Sequence, residues 1–143
     1  MITGLLHLHS ALRWVIIVLI LVTLVRAFLN RTNSEFGVQY KLGLFSMIAL
    51  HVQLLIGLGL LINGHWAEYK VEGLKSFIMR EHTSMMIAAV VLGTLGHSLS
   101  KRADDVATKY RKQFIFFGLS FVIIMAMIPW PCLRNFGEVY NWF

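Results

Sequence analysis

Charge, cysteine and proline are all scarce in this chain. Only 14% of its 143 residues are charged, against 57% hydrophobic, where a soluble domain carries about 25% and about 45–50%. The one cysteine, Cys132, cannot form an internal disulfide, and no CxxC or CxxCH motif is present. Covalent c-type haem attachment, an iron–sulfur cluster and a thiolate zinc site are therefore excluded as readings, and Cys132 reads as a small interfacial apolar residue. The two prolines, Pro129 and Pro131, flank Trp130 and close the last apolar run, as residues without an amide donor do. No carboxylate lies deep in an apolar run, which argues against a proton-driven transporter and against a carboxylate-rich metal centre. No Ser-His-Asp or Cys-His nucleophile is supported. Gly57-Leu58-Gly59 lacks the remaining glycine of a dinucleotide fingerprint and sits within an apolar run. No repeat or low-complexity tract stands out.

What remains is four long apolar stretches, at about 4–29, 42–63, 78–100 and 114–131, each close to the roughly 20 residues that cross a bilayer core. They predict an all-α, integral membrane four-helix bundle as one domain over 1–143, since the loops are too short to fold alone. The first stretch is read as retained, because it has neither a basic leader segment nor a small-residue cleavage site. Trp66 and Trp130 suit an interfacial belt. Lys and Arg concentrate in the first loop (Arg26, Arg31, Lys41) and the third (Lys101, Arg102, Lys109, Arg111, Lys112). The positive-inside rule then gives an up-down-up-down topology with both termini on the outer, periplasmic side of a bacterial inner membrane. Anionic lipid headgroups and this topology account for the net charge of +6. No loop combines a basic patch with stacking aromatics, so nucleic acid is not an expected partner.

Histidine carries the functional signal. Of His7, His9, His51, His65, His82 and His97, all but His65 fall on the first three stretches, and ionisable groups inside a membrane usually face the bundle interior or a functional site. His9 lies about 7 Å along the first span and His82 about 6 Å along the third, at about 1.5 Å per residue. Both spans start at the outer surface, so the two imidazoles sit at one level and can hold a haem iron between them. His51 is near the middle of the second span and His97 near the inner end of the third, about 9 Å apart in depth for upright helices. Tilt closes part of that gap, so a second pair is conditional, and a cross-pair such as His51 with His9 stays open. On the third span, His82, Met86, Ala89, Gly93, Gly96, His97 and Ser100 share about 100° of the helical wheel. Small residues there suit the approach of a flat macrocycle or, equally, of a neighbouring helix. His7 points almost opposite to His9 and reads, with His65, as interfacial. Arg13, one turn from His9, either snorkels outward or offers a counter-charge to a haem propionate. Tyr40 and Gln53 are candidate contacts for a quinone, or ordinary packing residues.

The opening Leu5-Leu6-His7-Leu8-His9-Ser10-Ala11-Leu12-Arg13-Trp14, followed by His51, His82 and His97 on later spans, resembles the small four-helix membrane b-type cytochromes called cytochrome b in Bacteroidota. In layout it is also similar to copper-resistance D-type proteins and to small haem-binding protoporphyrinogen oxidase-type proteins. The resemblance implies b haem ligated by His9 with His82, and by His51 with His97 if a second haem is held. It further implies electron relay between a quinone and a partner within a larger membrane complex. Two other functions stay open at this point: a cofactor-free accessory subunit of such a complex, and haem-dependent porphyrin oxidation. Relay is not bond-making chemistry, so whether the protein is an enzyme is left undecided by the sequence.

Overall fold

The computed structural model describes residues 2–32, 35–64 and 72–130. Among them every regular element is a helix: α1 (Ile2–Leu29), α2 (Gly37–Ile62), α3 (Glu72–Ser76), a π-helical stretch (Phe77–His82), α4 (Thr83–Lys101) and α5 (Val106–Met127). Four helices are long and apolar enough to cross a membrane: Thr3–Leu29, Gly37–Ile62, Gly73–Lys101 and Val106–Met127. Helix is the structure such segments must take, because hydrocarbon offers no partner to a backbone N–H or C=O. His65, Trp66, Pro131, Cys132 and Arg134 lie outside the described residues.

The helix ends have local causes, and several differ from the hydropathy boundaries. α2 begins at Gly37 rather than near Leu42, because Gln39 turns a polar side chain into the bundle instead of ending the span. α5 begins at Val106 rather than near Phe114. Its start is set by Asp105, whose side chain accepts the Thr108 N–H at 2.7 Å, an N-cap that satisfies an otherwise unpaired donor. The Thr108 side chain and amide hold the Asp105 carboxyl below its ordinary value. At the other end, Ile128 precedes Pro129 and leaves helical geometry at φ −66, ψ 129, as pre-proline residues do. α2 ends through Gly64, whose φ of +72° is the left-handed turn that favours glycine past a helix end.

The core is built from one face of each long helix: Ile16 and Ile20 of α1, Leu50 of α2, Ala89 and Val90 of α4, and Phe117 and Ile124 of α5. Polar residues are woven into it. The Gln39 amide donates to the Thr23 carbonyl at 3.0 Å and to Gln113 Oε1 at 2.9 Å, joining α1, α2 and α5. Thr23 donates its hydroxyl to Leu19 O at 2.8 Å, so Ser46, 3.0 Å away, is the donor in their pair. Ser120 of α5 donates to Ala89 O of α4 at 2.8 Å, and Tyr110 donates to Glu35 O at 2.8 Å.

Glycines let the helices meet. The space a side chain at Gly43 would need is filled by the Gln113 amide, which its bond to Gln39 holds in place. A side chain at Gly93 would meet the end of Leu50, and one at Gly96 would meet Phe116 and Phe117. Gly43→Ala is therefore expected to destabilise the bundle by about 1–3 kcal/mol through overpacking. Gly93→Ala should cost less, because the tip of Leu50 can change rotamer. Unfolding midpoints in mixed detergent micelles check the order; equal losses would contradict it.

Candidate functional site

One end of the bundle is left open inside. The start of α1, the end of α2, the π-helical stretch, the start of α4 and the segment after α5 enclose a cavity of about 140 Å³. The walls are mainly aliphatic, from Ile16, Leu50, Leu54, Val90 and Ile124, with Ile128 and Pro129 also lining it. Six side chains with hydrogen-bonding groups interrupt them: His9, Ser10 and Arg13 from α1, Gln53 from α2, then His82 and Thr83.

His82 closes the π-helical stretch, and π turns are frequent at functional sites. The Thr83 hydroxyl donates to Ile78 O at 2.8 Å, satisfying a carbonyl of the widened turn. His82 Nδ1 lies 2.8 Å from Met127 O. A carbonyl only accepts, so Nδ1 carries the proton and Nε2 is bare. An imidazole held in this way by a backbone carbonyl has the tautomer and orientation of a metal-ligating histidine. Phe77 packs beside it, ring centroids 6.3 Å apart.

His9 approaches from α1. Its ring lies against α2, where a Cβ on Gly57 would be 3.2 Å from Cε1 and 3.7 Å from Nδ1. Its backbone carbonyl accepts from Gln53 Nε2 at 2.9 Å. His9 Nδ1 is buried with no hydrogen-bond partner. Arg13, one turn further along α1, lines the same cavity as the two histidines. The Arg13 guanidinium stands 5.5 Å over the Trp14 ring, and Trp14 meets Trp130 edge-on at 6.0 Å.

The other histidines go elsewhere. His7 is exposed. His51 is exposed too and spends Nδ1 on Met47 O of its own helix at 2.8 Å. His97 is buried, 5% exposed, beside Tyr40 at 5.0 Å between ring centroids, with Nδ1 unpartnered. Neither His51 nor His97 lines the cavity. Gly93 does not line it either: its open face is taken by Leu50 and Phe117, so the glycine serves helix contact. Among the described residues no group of three or more His, Cys, Asp or Glu side chains is placed to hold a metal ion. Sequence reasoning named Gln53 only as a quinone contact or packing residue, and missed that it and Gly57 form the α2 wall beside His9. The available signal was their spacing of four residues, which puts them on one helix face. Comparison with known proteins finds no matching family model, no matching curated protein and no matching solved structure.

The two histidine–carbonyl bonds differ in environment, and this gives a test. His82→Phe strands the Met127 carbonyl in the interior and should cost about 1–3 kcal/mol. His51→Phe, on an exposed face, should stay within about 0.5 kcal/mol of the parent. Chemical unfolding of the purified variants in detergent reads both, and an equal loss at the two positions would contradict the assignment.

Proposed function

We propose that the protein is a membrane b-type cytochrome-like electron carrier, with haem held in this cavity between His9 and His82. The observation that carries the reading is that two histidines from different helices line one apolar cavity, one of them with Nδ1 tied to a carbonyl and Nε2 bare. The residues present fit the group. His82 and His9 offer ring nitrogens, the glycine at 57 admits the His9 ring against α2, and Arg13 offers a cation for a propionate. Haem b supplies a reversible one-electron iron couple. The chain's own part is to fix the ligands, exclude water with aliphatic walls and balance the propionate charge. His51, on an exposed face, and His97, buried beside Tyr40 and away from the cavity, give no comparable support to a second haem. We place the relay between a quinone and further subunits of a membrane complex, in a bacterial inner membrane, with lipids covering the exposed apolar faces. The topology proposed with it is up-down-up-down with both termini outside, supported by the basic loops and by the facing of Leu5 on Gly59 and His9 on Gly57.

A visible spectrum of the purified protein, with haem supplied, should show a sharp b-type α-band on reduction. His82→Ala should abolish or displace the band, whereas His7→Ala should leave it unchanged. Well-folded protein without the band would overturn the reading and leave the cofactor-free accessory subunit in its place. Oxidation of a porphyrinogen by the loaded protein would point instead to haem-dependent porphyrin oxidation.

A further inference from the structure

We propose that Gln53 is the positioning residue of His9: its side-chain carbonyl accepts a hydrogen bond from the His9 Nδ1–H and so reserves Nε2 for a ligand. Gln53 and His9 line the same cavity, and the Gln53 Nε2 group already donates to the His9 backbone carbonyl at 2.9 Å. Because that carbonyl only accepts, the bond settles which end of the amide is which, and Oε1 is the acceptor left over. Gln53 Oε1 is buried without a partner, and so is His9 Nδ1. One is an unused acceptor and the other a nitrogen able to donate. The His9 ring also turns the right edge toward α2: its atoms nearest Gly57 are Cε1 and Nδ1. Gly57 is one helical turn from Gln53 on the same face. Buried polar atoms are rarely left unpaired, and a bond between these two would satisfy both. The pairing gives His9 what the Met127 carbonyl gives His82, a fixed tautomer and a more basic ligating nitrogen.

This rests on the haem reading of the cavity for its purpose, but its first readout needs no haem. Protein labelled with ¹⁵N at histidine is reconstituted in bilayers, and the ring nitrogens are read by solid-state NMR, with His9→Gln identifying the His9 signals. The expected result is an Nδ1-protonated His9. Gln53→Met, close in shape but without the acceptor, should shift His9 toward the Nε2-protonated form, while His82 keeps its Nδ1 proton. Gln53→Glu, which restores an acceptor, should keep the parent tautomer. A parent His9 protonated on Nε2, or a tautomer unchanged in Gln53→Met, overturns the pairing. In haem-loaded protein, Gln53→Met should raise the reduction potential and shift the low-spin ferric g-values, neither of which a packing role would do in step with the tautomer. Failure of the parent to take up haem would overturn the cavity's assignment and leave the NMR result to decide the pairing.

Discussion

The Gln39 amide is the contact on which the rest of the bundle turns. Lipid tails are as apolar as leucine, so burial of aliphatic side chains gives little preference for one helix arrangement over another within a bilayer. A directed hydrogen bond does give one. Gln39 uses both amide hydrogens, one on the Thr23 carbonyl and one on Gln113, and so sets the register of three helices at one level. Gly43 and Ser46, on the same side of α2, complete the junction by admitting the Gln113 amide and bonding Thr23. The Ser120–Ala89 bond adds the fourth long helix.

With one end fixed by polar contacts, the other can be held open. The cavity forms where the buried small residues of α4 give way to Met86 and His82, and where α5 stops at Ile128–Pro129. The end of α5 is itself part of the site, since a helix that ends early leaves carbonyls unpaired, and Met127 uses its carbonyl to hold His82. The two candidate ligands are thus supported differently, His82 by a backbone oxygen at a helix end and His9 by the side-chain wall of α2.

Much of this was legible in the sequence. Four apolar runs specify four spans, because in hydrocarbon the length of a run and its secondary structure are the same question. The face of α4 was also legible: Ala89, Gly93, Gly96, His97 and Ser100 are all buried, as their shared phase requires. His9 and His82 lie on one cavity, as equal depth on two spans suggested. The helix starts were less legible, because hydropathy reads Gln39, Tyr40 and Lys41, or Lys109 to Gln113, as loop, whereas Gln39, Tyr110 and Gln113 are buried. Periodicity could not say which partner a small residue faces, so Gly93 and Gly57 were indistinguishable in kind. Gly93 meets Leu50 and Phe117, and Gly57 meets the His9 ring. The Met127 carbonyl has no sequence signature, since any residue there would supply it.

The π-helical stretch has a consequence for how this site tolerates change. A wide turn takes up one residue more than an α turn, which is how a helix absorbs an extra residue without rotating its later turns. Leu74 before it and Phe77 at its start are buried, and the histidine face after it is fixed by α4. The stretch Phe77–His82 therefore works as a phase joint between two anchors that need not share a helical repeat. Loss of a single residue within it would close the wide turn to an ordinary α turn with both anchors still in phase, whereas the same loss in the α turns on either side would swing one anchor by about 100° relative to the other.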